Sequence, residues 1–313
     1  MNASCPPDSP CSPCEMSTDR VVQPMVACLG NPVAGNPTQF VMSRIARDAE
    51  LDWRFFTSEV APEQFEAAFR GVQALGMAGI AILEPFQEQS VGFLDSVSEE
   101  VSRWGRVSVA RRDGNAWIGE NTLGAALIHL LKTKLSVPPQ REDGTMSPQS
   151  IAVWGPPQTA QAIDGLLPTL DGDFSALLCV EKLETMESSA TSEAEQPAKS
   201  DVPAVGLEEM GSLERSVRVL VLDFPAAQRF TRPKTMAKWI QQIAWATSPV
   251  VVCAHGRDQL DEESIEWLRG RDATIVEELE LMAHRAAVDF HFWTGVEPSI
   301  ELIREALEEY LQW

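Results

Sequence analysis

The chain has 313 residues, 44% hydrophobic and 23% charged, a balance that suits a globular protein long enough for two cored domains. Its formal net charge of −21 disfavours nucleic acid and anionic membrane as partners, because phosphate binding needs clustered Lys and Arg. No apolar run approaches the roughly 18 residues of a membrane span, and no basic-then-apolar leader opens the chain, so a cytoplasmic location is expected.

Residues 1–20 are rich in Pro, Ser and Cys and predict a disordered tail, most of which a start at Met16 would remove. Cys11 and Cys14 in that tail have CxxC spacing, but no second pair or histidine follows to complete a zinc site. Cys28, Cys179 and Cys253 lie in apolar runs and read as small core residues. Order begins at QPMVACLG (23–30), a buried-strand pattern closed by Gly30-Asn31-Pro32. Helical spacing over 38–50, alternation over 52–60 and an amphipathic pattern over 61–76 follow in turn.

The run GIAILEPFQE (79–88) reads as a strand that stops at a proline turn, and helical spacing over 87–104 predicts one helix after it. Residues 106–122 read as a hairpin turning at Asp113-Gly114 or Gly114-Asn115, and 122–135 as a helix. A polar link over 136–150 leads to a strand at 150–155, a helix at 158–170 and a strand at 174–180. The stretch 184–201 is acidic, low in complexity and short of large apolar groups, which predicts a mobile surface segment. Strand-like runs at 217–225, 248–256 and 273–282 alternate with helices, the rhythm of a doubly wound nucleotide-type domain, and 298–313 forms a closing amphipathic helix.

Four fragments, LGNPVAG (29–35), GIAILEPFQE (79–88), RDGNAWIGENT (112–122) and LMAHRAAVDFHFWTG (281–295), together resemble the shikimate dehydrogenase family in order and spacing. The resemblance spans about residues 26–310 and implies an α/β protein of two domains. The first would be a substrate-binding α/β domain over 21–122, completed by the terminal helix 296–313. The second would be a Rossmann-like doubly wound NADP-type domain over 123–295. The family interconverts 3-dehydroshikimate and shikimate with NADP, in aromatic amino-acid biosynthesis.

The family's proton-transfer pair is a Lys assisted by an Asp. Aligned on Pro85, Gln87 stands at the Lys position, Ala81 and Leu83 replace an Asn and a Thr, and Leu123 stands at the Asp position after Gly119-Glu120-Asn121-Thr122. An amide does not titrate near neutral pH and an isobutyl group never does, so both proton carriers are missing. The family's carboxylate-gripping Ser-x-Ser falls at Asn36-Pro37-Thr38, its Ala-Val-Asn-Thr asparagine at Ser108, and its closing glutamine at Arg285. Asn36, Thr38, Ser108, Asn121 and Arg285 are therefore the substrate-binding candidates. Arg285 suits a small carboxylate; pairing with a local acid such as Asp289 is the structural alternative.

The cofactor turn reads Gly155-Pro156-Pro157-Gln158-Thr159 where the family has a glycine-rich turn that cradles pyrophosphate. Two prolines remove two amide donors and crowd the phosphate path. Glu181 and Lys182 fall where the family's Arg holds the NADP 2′-phosphate; Glu181 would repel that group. Trp154 is placed to fill space otherwise open to cofactor. Glu84, Glu88 and Glu120 flank the old proton-transfer positions; Glu88 is expected to open a helix and Glu120 to face outward on a strand. His129, His255, His284 and His291 show no metal-ligand pattern. NADP is thus implied by resemblance alone, and no metal is expected. The expectation is a family member impaired in catalysis that binds a small carboxylate or regulates a protein partner, homodimer included. An active shikimate or quinate dehydrogenase with a diverged site is the alternative.

Overall fold

The computed structural model describes residues 23–135, 147–180, 202–224 and 236–312. The tail with Cys11 and Cys14, the acidic stretch 184–201, and Glu181 and Lys182 lie outside the described residues.

The first sheet contains β1 (Met25–Gly30), β2 (Arg54–Glu59), β3 (Gly79–Ile82), β4 (Ser96–Val97), β5 (Val109–Asp113) and β6 (Ala116–Glu120), in the order β2-β1-β3-β5-β6-β4. β1 pairs in parallel with β2 and β3, while β5 runs antiparallel to both β3 and β6. The apolar run of β1 is continuous because both faces are covered. Val26 and Cys28 face one core, with α1 (Thr38–Asp48). Ala27 and Leu29 face the other, with α2 (Phe65–Ala74), Phe86 and Trp117.

The expected helix over 87–104 is instead a 3₁₀ turn at Gln89–Phe93, the short β4, and α3 (Glu99–Trp104) capped by the Ser98 hydroxyl. Buried Ser90 donates to the Phe86 carbonyl at 2.7 Å, and Leu94 turns extended. Val91, Phe93, Leu94 and Val97 all pack into the second face of the sheet, which one straight helix could not do.

The chain then crosses through α4 (Leu123–Lys134) to a second sheet of β7 (Gln149–Trp154), β8 (Phe174–Val180), β9 (Ala204–Gly206), β10 (Ser216–Leu222), β11 (Trp245–Cys253) and β12 (Thr274–Val276). Its order β9-β8-β7-β10-β11-β12 is all-parallel and is the doubly wound order, reversing between β7 and β10. α4 and α5 (Pro157–Leu166) cover one face over Ile151, Val153, Val219 and Val221. α6 (Met236–Gln242) and α7 (Glu262–Arg269) cover the other. The strand-like run 273–282 is a strand only over Thr274–Val276; a helix begins at Glu278.

That helix, α8 (Glu278–Thr294), and α9 (Ile300–Leu311) return to the first sheet. Ala283, Ala287, Phe290 and Trp293 join the core over β1, while Leu281 and Val288 pack into the core over β7. Trp293 Nε1 donates to the Ala110 carbonyl at 3.0 Å, and only a glycine fits beneath its indole: a Cβ on Gly79 would lie 2.5 Å from the ring.

Where α4 packs along α8, His129 and His284 meet with Nδ1 atoms 3.2 Å apart. His284 is 1% exposed, and Glu280, bridged to Lys134 at 2.8 Å, stands 3.8 Å from its Nε2. Burial, then the neighbouring His129, hold the His284 imidazole down from 6.5 to about 4, against the pull of Glu280. The folded state therefore keeps His284 neutral while the unfolded chain protonates it, so stability falls as pH drops through 6.5 and levels off below about 4. We expect a loss of about 2 kcal/mol from this residue between pH 7.5 and pH 5, at 1.36 kcal/mol per unit. Urea unfolding at the two pH values should show that loss in the native chain and less of it in His284→Gln.

Candidate functional site

β1 and β3 end side by side, and the turns after them open onto a cavity of about 160 Å³. α1 supplies Thr38, Val41 and Met42, β3 and the turn after it supply Ala81 and Leu83, and α8 supplies Met282, Arg285, Ala286 and Asp289. Four of the five sequence-derived substrate candidates, Asn36, Thr38, Ser108 and Arg285, line it together. Asn121 does not. Its amide oxygen accepts from Leu123 N at 3.2 Å and its Nδ2 donates to the Arg106 carbonyl at 3.3 Å, so it shapes the start of α4.

Asn36 is oriented by its surroundings. Its Oδ1 accepts from Thr38 N at 3.0 Å and from the Cys28 thiol at 3.8 Å, leaving Nδ2 with no partner among the described residues. Burial pushes the Cys28 thiol up to about 11, which keeps it a donor. On the opposite wall Ser108 and Thr122, 3% and 0% exposed, form a hydroxyl pair 3.1 Å apart. Thr122 N donates to the Ser108 hydroxyl at 3.0 Å, and the Thr122 hydroxyl donates to Asp289 Oδ1 at 2.6 Å.

Asp289 is the titratable group that sequence reasoning missed as part of the site. Burial raises its carboxyl above the usual range; Arg285 and the Thr122 hydrogen bond pull the other way. Its place one helical turn after Arg285 was the available signal. The anticipated ion pair between the two is not formed: among the described residues the Arg285 guanidinium has no hydrogen bond and no carboxylate within 4.0 Å. An unpaired cation beside a shared carboxyl and an amide donor is an anion site with one spare acceptor.

Gln87 and Leu123, which align with the family's proton-transfer pair, have structural partners. Neither lines the cavity. Gln87 donates to the Ile82 carbonyl at 3.3 Å and accepts from Arg106 Nη2 at 3.0 Å. Leu123 packs into the core over β7. Arg106 also binds exposed Glu84 and lies 4.0 Å from Glu88, so these acids are held by a cation outside the cavity. Glu120 is half-buried and does not face out: burial and then Glu100 raise its carboxyl, against Arg111.

At the strand-order reversal of the second sheet, the family's cofactor turn is closed. Gly155 is required because a Cβ would lie 2.5 Å from the Asp223 carbonyl. Pro156 (φ −60°, ψ 141°) caps α5 and Pro157 begins it, so neither offers an N–H, and Thr159 N already bonds the Pro156 carbonyl at 3.1 Å. The Thr159 hydroxyl donates to Asp223 Oδ2, and His255 Nε2 meets Asp223 Oδ1 at 2.7 Å. Trp154 stacks on Trp239 with centroids 5.4 Å apart and meets Phe224 edge-on at 5.2 Å. A missing pair of amides, a carboxylate and packed indole rings do not fit a dinucleotide pyrophosphate.

Comparison with known proteins agrees with this architecture. The family description "Shikimate dehydrogenase substrate binding domain" matches residues 28–109. The chain is 24% identical to the shikimate dehydrogenase (NADP(+)) of Bacillus licheniformis, over 93% of this chain and 98% of that one. It is 22% identical to that of Methanocaldococcus jannaschii, over 90% and 95%. Among solved structures, shikimate 5-dehydrogenase from Thermus thermophilus in complex with shikimate superposes with a TM-score of 0.68 at 18% identity, covering 93% of this chain and 100% of that one. In its first-domain match, its near-full-length relatives and its two-sheet fold, this chain is similar to the shikimate dehydrogenases, with the family model itself matching the first domain.

Proposed function

We propose that this chain binds a small carboxylate in the cavity between α1, β3 and α8 and does not pass hydride to or from a nicotinamide. The observation that carries this reading is the unpaired Arg285 guanidinium facing a cavity from which Gln87 and Leu123 are both absent. Arg offers a planar two-donor fork to a carboxylate, and Asn36 Nδ2 adds a third donor from the facing wall. The closed turn at Pro156 and Pro157 supports the second half of the reading, since a bound dinucleotide needs amides aimed at its phosphates.

A dehydrogenase with a diverged site is the rival, and Asp289 is the feature in its favour: a carboxyl of raised pKa lines the cavity, where a base would have to stand. Two measurements separate the readings. Thermal melting with NADP and with NAD at millimolar concentration is expected to show no stabilisation, because a ligand that does not bind the native state shifts nothing. Incubation with shikimate and either dinucleotide is expected to produce no reduced cofactor by absorbance. A clear melting shift with a dinucleotide, together with turnover, would establish the rival.

A further inference from the structure

The lining of the cavity narrows the ligand further, on the premise that the carboxylate reading holds. Its polar side chains are Arg285, Asn36, Asp289, Thr38 and Ser108, with Ser108 already committed to Thr122. The other side chains of the lining, Val41, Met42, Ala81, Leu83, Met282 and Ala286 among them, are hydrocarbon or thioether. Ala81 and Leu83 occupy the two positions where the family motif carries an Asn and a Thr, so a methyl and an isobutyl group meet the ring in place of two hydrogen-bonding side chains.

Size points the same way. The cavity holds about 160 Å³, and an engineered apolar cavity of about 150 Å³ in another protein accommodates benzene. A six-membered ring fits that volume. Asp289 uses one oxygen to accept from Thr122, which leaves the other for a single hydroxyl.

We infer that the cavity takes a cyclic monocarboxylate with a largely hydrocarbon ring and at most one hydroxyl, its carboxylate on Arg285 and its hydroxyl on Asp289. Shikimate carries three ring hydroxyls, and those facing Ala81 and Leu83 would lose water without gaining a partner. Each such loss costs about tenfold or more in affinity.

Calorimetric titration of the full chain with benzoate, 3-hydroxybenzoate and shikimate tests this. Both aromatic acids are expected to bind at least tenfold more tightly than shikimate. Arg285→Gln should weaken both aromatic acids tenfold or more, and the double variant Ala81→Asn, Leu83→Thr should narrow the gap to shikimate at least fivefold. Circular dichroism melts of each variant establish that it is folded. Shikimate binding as tightly as the aromatic acids would overturn the ring class and leave the carboxylate reading standing. No binding of any of the three acids to a folded native chain would overturn both.

Discussion

Replacing Trp293 with alanine should destabilise the protein by about 3–5 kcal/mol, the range for deleting a large buried aromatic from a packed core. The indole is 7% exposed, meets Phe55 with ring centroids 6.2 Å apart, and donates to the Ala110 carbonyl. Removal leaves a void over β3 and β5 that backbone relaxation only partly fills. Gly79→Ala should act from the other side, pushing the indole off its seat. Urea unfolding followed by circular dichroism reads both variants. Because α8 carries Arg285 and Asp289 two turns and one turn before Trp293, 3-hydroxybenzoate affinity should fall in the same variants. A loss below about 1 kcal/mol for Trp293→Ala would mean that the helix is held elsewhere.

The double variant Gln87→Lys, Leu123→Asp should still produce no reduced cofactor from shikimate, although the acid–base pair it restores is worth about 10²–10⁴-fold where such pairs operate. Two physical reasons stand behind that expectation. The Gln87 side chain leaves the cavity toward the Ile82 carbonyl and Arg106, so a lysine there begins beside a guanidinium of like charge. The dinucleotide turn also remains closed by Pro156, Pro157 and the Asp223 carboxylate. Following cofactor absorbance with shikimate and NADP measures the outcome. Measurable turnover in the double variant would show that the cofactor site is intact.

Much of the fold was legible where a strand is covered on both faces. The runs expected at 23–30, 150–155 and 217–225 are strands at Met25–Gly30, Gln149–Trp154 and Ser216–Leu222, with Arg218 as the one charged residue inside them. The stretch 87–104 misled because its apolar residues have near-helical spacing, yet Ser90 bonds back to Phe86 and Ser98 starts a new helix. The run 273–282 misled for a similar reason: β-branched residues pass directly into a helix with no glycine or proline between them.

Of the candidates that the resemblance named, Asn36, Thr38, Ser108 and Arg285 line one cavity, and each lies within or beside a recognisable motif. Asn121 lies off that lining because a motif position does not say where an amide turns; the start of α4 and the Arg106 carbonyl hold its polar atoms. Asp289 was seen only as a neighbour of Arg285. Its partner Thr122 is 167 residues away in sequence, a separation that no local pattern crosses.

α8 has a consequence of its own. One flank is embedded in the core over β1, the other contributes Leu281 and Val288 to the core over β7, and His284 sits against α4 between them. A single rod thus serves as mortar between two lobes. Because that rod also carries Arg285 and Asp289, anything that fills the cavity leans on a wall that both lobes hold in place.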